Sequence, residues 1–149
     1  MSPIVSSVEI HRPPGEVFAY VTDPARFAEW QLDAAGGRTE AGQKPGVGGR
    51  YTTIRRIAGI VPKLTTSEIT EVDPPKSWAA HGTGGPVREN VRYTVEKLDG
   101  NKRSRVTIEL DFEGHGIGRL LVPLIVRRQA RKEMPMNCRK LKDRLEGGN

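Results

Sequence analysis

The chain has 149 residues, a single cysteine and a formal net charge of +6. That length can bury a full core, so one domain over residues 1–149 is expected. The lone Cys138 excludes an internal disulfide and a cysteine-based zinc cluster, no apolar run is long enough to span a bilayer, and the opening residues carry no secretory signal pattern, so the expected location is the cytoplasm.

In chain order, Ile4, Ser6, Val8 and Ile10 alternate with Val5, Ser7 and Glu9, the period of a strand. Pro13-Pro14 ends it and opens a short helix with Val17, Phe18 and Val21 on its apolar stripe. Asp23-Pro24 reads as a cap followed by a first-turn proline, opening a second short helix through Trp30, with Phe27 and Trp30 as anchors. Residues 35–45 are a weak strand or loop, and 46–49 a glycine-rich turn. Residues 50–58 form a strand of mixed parity. A turn over 59–62 leads into a strand over 63–72, which Asp73-Pro74-Pro75 breaks.

Residues 77–83 are a short strand ended by Gly84-Gly85-Pro86. Val87, Val91, Tyr93 and Val95 then alternate with Arg88, Arg92, Thr94 and Glu96, and a hairpin turn follows at Asp99-Gly100-Asn101-Lys102. The last strand sets Val106, Ile108, Leu110 and Phe112 against Arg105, Thr107, Glu109 and Asp111. Residues 116–146 are expected to form one long helix. Ile117, Leu120, Leu124, Met134, Cys138, Leu141 and Leu145 share its inward face, together with Arg127 and Arg131. Pro123 sits near its start, Pro135 should bend it, and Gly147-Gly148 stop it.

Charge is uneven. Acidic and basic residues cancel through Glu113, whereas residues 114–149 hold nine basic against three acidic residues, which is the whole excess. A basic amphipathic helix can lie on an anionic membrane or present a plain solvated face. Nucleic acid is not the expected partner.

Strand, two short helices, a run of antiparallel strands and one long terminal helix make an α+β architecture: a curved antiparallel sheet of about seven strands wrapped around the C-terminal helix. Three stretches are similar to the SRPBCC superfamily, the helix-grip fold of START-related lipid-transfer domains and polyketide cyclase/dehydrase-like proteins. They are Ile10-His11-Arg12-Pro13-Pro14-Gly15-Glu16-Val17-Phe18, Thr22-Asp23-Pro24 followed by Trp30, and Glu68-Ile69-Thr70-Glu71-Val72-Asp73-Pro74-Pro75. The closing Leu141-Lys142-Asp143-Arg144-Leu145-Glu146 adds to the resemblance, which covers nearly the whole chain.

The resemblance implies a deep, mainly apolar cavity between sheet and helix, holding a lipid, polyketide or aromatic compound. Parity then proposes its lining: Leu120, Leu124, Arg127, Arg131 and Met134 from the helix; Tyr51, Trp78, Glu89, Val91, Tyr93, Ile108 and Leu110 from the sheet; Phe27 and Trp30 at the mouth. Arg127 and Arg131 are candidates to meet an anionic head group. Carriers, receptors and enzymes all use this fold, so a cyclase or dehydratase is the alternative, with Glu89, His81 and Tyr93 as candidate acid–base groups. A third reading is a docking module that uses the basic helix on a membrane or an acidic protein. His11, His81 and His115 lack metal-ligand spacing and no cofactor motif is present, so neither metal nor cofactor is expected. Monomer and homodimer both remain open.

Overall fold

The computed structural model describes residues 2–39, 46–57 and 61–147. The part of the expected loop over residues 40–45, the last residue of the expected strand (58), the first two of the expected turn (59–60) and the helix stop at Gly148 lie outside the described residues.

Seven strands form one antiparallel sheet in the order β1-β7-β6-β5-β4-β3-β2. They are β1 (Ile4–Ile10), β2 (Ala34–Thr39), β3 (Arg50–Ile57), β4 (Val61–Asp73), β5 (Ser77–Gly82), β6 (Val87–Leu98) and β7 (Arg103–Gly114). Alternation sets which face is buried. Val91, Tyr93 and Val95 of β6 stand opposite Leu110, Ile108 and Val106 of β7, so cross-strand apolar pairs line one side of the sheet. β4 begins at Val61, two residues before the expected start, because residues 61–62 pair with the end of β3 instead of turning.

Between β1 and β2 lies helix α1 (Pro14–Val21), which buries Val17, Phe18 and Val21. The second expected helix is split. Pro24–Arg26 is a 3₁₀ turn capped by the Asp23 carboxylate, which accepts from the Ala25 amide, and α2 (Phe27–Trp30) follows. Both anchors of α2 are buried.

The long C-terminal helix has three parts: α3 (Gly118–Leu121), a π turn (Val122–Val126) and α4 (Arg127–Gly147), which runs on through Pro135. Met134, Cys138, Leu141 and Leu145 of α4 are buried at the spacing expected of a helix gripping a sheet. Its C-terminal end is pinned. The Lys142 ammonium donates to the Glu9 carbonyl (2.9 Å) and to the Glu146 carboxylate (2.7 Å), which also accepts from the His11 amide (2.8 Å).

The first part of the helix departs from the expected phase. Pro123 has no N–H for an i−4 bond, and the π turn around it carries one residue more than an α turn. That residue rotates everything before it by about 100° relative to α4. Ile117, Leu120 and Leu124, expected to face inward, are therefore 64–65% exposed, while Gly118 and Val122 are buried. Arg131 also faces solvent, because the inward stripe of α4 passes through Ala130.

Gly118 is required by close approach: a Cβ there would lie 1.8 Å from the Pro86 carbonyl oxygen. The His115 amide donates to the same carbonyl (2.9 Å), so the start of the helix is fastened to the loop between β5 and β6. Curved antiparallel sheet, short helices after the first strand and long terminal helix together form the expected helix-grip fold.

Candidate functional site

The concave side of the sheet is solid at one end and hollow at the other. At the solid end five aromatic rings pack together. Trp78 stacks on Tyr93 with centroids 5.2 Å apart and planes at 12°, and Phe27 meets Trp30, Tyr51, Trp78 and Tyr93 edge to face. Such pairs add about 0.5–1.5 kcal/mol each beyond their burial. Phe27, Tyr51, Trp78 and Val91, proposed from parity as lining, belong to this filled core because the two short helices press Phe27 into the rings.

Beyond the cluster lies a cavity of about 110 Å³, partly open to the outside. Of the residues proposed from the sequence, Trp30, Glu89, Tyr93, Ile108, Leu110 and Met134 border it. Phe112, Val126 and Ala130 complete its apolar wall. Its rim is built from Lys63 and Leu64 of β4, the 84–87 stretch and Gln129 of α4.

The polar end is a chain of side chains that the sequence reading missed. Gln31 donates to the Tyr93 hydroxyl (3.1 Å) and accepts from the Arg55 guanidinium, which also binds the Asp33 carboxylate (2.9 Å) and lies over the Phe27 ring. Burial opposes the charge on Arg55, but Asp33 and Glu89 more than offset this and hold it firmly protonated. The signal for Arg55 was present: Tyr51, Thr53 and Arg55 share one side of β3, and Tyr51 and Thr53 are buried. Treating β3 as a strand of mixed parity hid it.

Glu89 projects from the start of β6 into this space. Removal from water raises its pKa, the charge of Arg55 partly offsets the rise, and Asp33 adds to it. No described residue donates a hydrogen bond to its carboxyl. Glu133, across the cavity on α4, is also raised, first by burial and then by Asp33, with Gln129 donating to it in compensation. Three carboxyls thus act on the Arg55 guanidinium, which is already paired, and Arg56 and Lys63 also line the space.

The other proposed polar groups stand elsewhere. Arg127 is buried in phase with Met134, but it faces Asp111 of β7 (2.9 Å) and the Ser2 carbonyl (2.6 Å) and does not border the cavity. Arg131 is exposed and Leu120 and Leu124 lie on the outer side, so none of these four borders the cavity. His81 sits on the outer face of the sheet with Asn90 and Glu113, since its parity on β5 is opposite to that of the buried Ala80. Among the described residues no cluster of His, Cys, Asp or Glu could hold a metal ion, and no helix is long and apolar enough to cross a membrane.

The architecture is similar to solved structures over almost its whole length. A START superfamily protein from Mycobacterium smegmatis superposes with a TM-score of 0.77 at 14% identity, with all of both chains covered. The Zhui aromatase/cyclase from Streptomyces sp. R1128 superposes at 0.73 and 14% identity, over 99% of this chain and 97% of that one. The di-domain aromatase/cyclase BexL of the BE-7585A biosynthetic pathway superposes at 0.70 and 18% identity; 95% of this chain is covered, but only 45% of BexL. At these identities the likeness is one of fold. No curated protein matches the sequence significantly. The family described as polyketide cyclase / dehydrase and lipid transport matches residues 1–146, and the chain belongs to that family.

Proposed function

We propose that this protein binds a hydrophobic or amphipathic small molecule (a lipid, a polyketide or an aromatic compound) in the cavity between β6, β7 and α4. The observation that carries this reading is the cavity itself, with apolar walls at Ile108, Leu110, Phe112, Val126 and Met134 and polar groups gathered at one end. That is the usual build of a small-molecule site. Its 110 Å³ is on the scale of apolar voids that take up a single aromatic ring, so a ring or chain segment enters while the remainder of a larger ligand lies across the rim.

The polar end favours a ligand that donates hydrogen bonds. Arg55 is neutralised by Asp33, and no described residue donates to Glu89, so its carboxyl can accept from a ligand. A hydroxyl or phenol suits it, and a carboxylate would meet like charge. This reverses the head group expected from Arg127 and Arg131. Native mass spectrometry of protein from its own host should find a hydroxylated apolar compound bound. Titration with 2-naphthol, followed by the fluorescence of Trp30 at the cavity wall, should show tighter binding than with 2-naphthoate. Preference for the naphthoate would sink the donor head group, and failure to take up either, together with a clean unliganded mass, would sink the cavity reading.

A second reading is a cyclase- or dehydratase-like enzyme, and one observation favours it. A carboxyl whose pKa is raised by removal from water, in the same cavity as the Tyr93 hydroxyl network, is equipped to give and take a proton. The family and the aromatase/cyclase neighbours support this reading without naming a substrate.

A further inference from the structure

The first turns of the C-terminal helix carry the largest local group of exposed apolar side chains in the described residues. Ile117, Leu120 and Leu124 are 64–65% exposed, and Ile125 flanks them. Continuing along the same outer side, the helix presents Arg128, Arg131 and Lys132, all exposed. Three other basic residues of this segment are already paired, Arg127 with Asp111, Lys142 with Glu146 and Arg144 with Glu29, while Arg139 and Lys140 lie farther along the helix. Among the described residues, Arg119, Arg128 and Arg131 form no ion pair, and Lys132 feels only the charge of the neighbouring Glu133.

We infer that this apolar tip with its basic collar docks the protein on an anionic phospholipid surface. The dimensions agree: from Leu124 to Arg131 the helix rises roughly 10 Å. A tip inserted about 5–10 Å therefore brings the cations to the level of the head groups. Charge selects the occupant. A second copy of the chain would set one unpaired cationic collar against another, whereas an anionic bilayer accepts both the leucines and the arginines. The inner side of the same segment bears Val126, Gln129 and Ala130, which border the cavity, and Gly118 is locked to the Pro86 loop on its rim. Docking in this pose sets the mouth of the cavity at the membrane. The inference goes beyond the cavity reading and does not depend on what the cavity holds.

The test is flotation of the purified protein with phosphatidylcholine–phosphatidylglycerol vesicles, compared with phosphatidylcholine alone. The protein should float with the anionic vesicles at low salt, stay behind with neutral ones, and be released by added salt. Leu120→Ser/Leu124→Ser alters only exposed positions and should abolish binding with an unchanged circular dichroism spectrum. Arg128→Gln/Arg131→Gln/Lys132→Gln should weaken it by about fivefold per charge, roughly a hundredfold together. Ala130→Phe, which fills the cavity, should still float. No binding to anionic vesicles at low salt would overturn the inference, as would binding untouched by both surface variants. So would a concentration-dependent dimer abolished by Leu120→Ser/Leu124→Ser, which would give this face to a second copy.

Discussion

A void in a small protein has a cost, and the cavity can be probed through it. Residual cavity volume destabilises cores by about 24 cal/mol per Å³, so 110 Å³ corresponds to roughly 2.6 kcal/mol if the space is dry and apolar throughout. Glu89 and Gln31 admit water at one end, which lowers the recoverable part to about 1 kcal/mol. Ala130 lies on the apolar wall, and its side chain is short enough to be extended into the space. Ala130→Leu should therefore raise the stability of the unliganded protein by about 1 kcal/mol. Ala130→Phe should fill the cavity and abolish uptake of 2-naphthol, with stability at or above that of the wild type. Urea denaturation gives the first quantity and fluorescence titration the second. Both variants losing more than about 1 kcal/mol while still taking up ligand would refute the reasoning, since the space would then be neither empty nor the binding site.

Two further outcomes follow from the electrostatics. Arg127 is 3% exposed whereas Asp111 keeps contact with water, so Asp111→Ala strands a buried charge and should cost about 2 kcal/mol, but Arg127→Met, which removes that charge, should cost less than about 1 kcal/mol; a double-mutant cycle by denaturant titration checks this, and the reverse order would contradict it. The folded-state pKa of Glu89 is raised, so its contribution to stability is full below the ordinary carboxylate value of 4.5 and is lost as pH rises through the folded value. Glu89→Gln should thus gain stability relative to the wild type with rising pH, and a pH-independent difference between the two urea midpoints would rule out a desolvated carboxyl.

Most of the architecture was legible because strands β6 and β7 alternate cleanly and α4 repeats its apolar positions at helical spacing. Both are local signals that tertiary packing reinforces. Glu89 and Tyr93 were placed at the cavity by parity alone, since one register sets the direction of every side chain along β6. The errors have specific causes. A single surplus residue at the π turn rotated Leu120 and Leu124 outward, and no helical periodicity drawn from α4 could reveal it; Arg127 kept its inward phase but met Asp111 instead of the cavity. The aromatic residues were correctly seen to point inward. Whether an inward ring lines a space or fills it depends on how far the short helices press in, and that is a matter of volume. Gln31 and Asp33 escaped notice because they sit where α2 passes into β2, where neither a helical nor a strand period applies.

The π turn separates two tasks along a single rod. Downstream of it, the stretch tethered near Glu146 is committed to the sheet, and its orientation cannot change without undoing the core. Upstream, the extra residue acts as an angular spacer, so what the forward stretch displays to its surroundings is uncoupled from what the rear stretch holds. Excising one residue between Val122 and Val126 would cancel the offset, turn the two leucines toward the interior and bring inward side chains out. A protein of this shape can thus alter its outward address by rotation alone and leave the chamber behind it as it was.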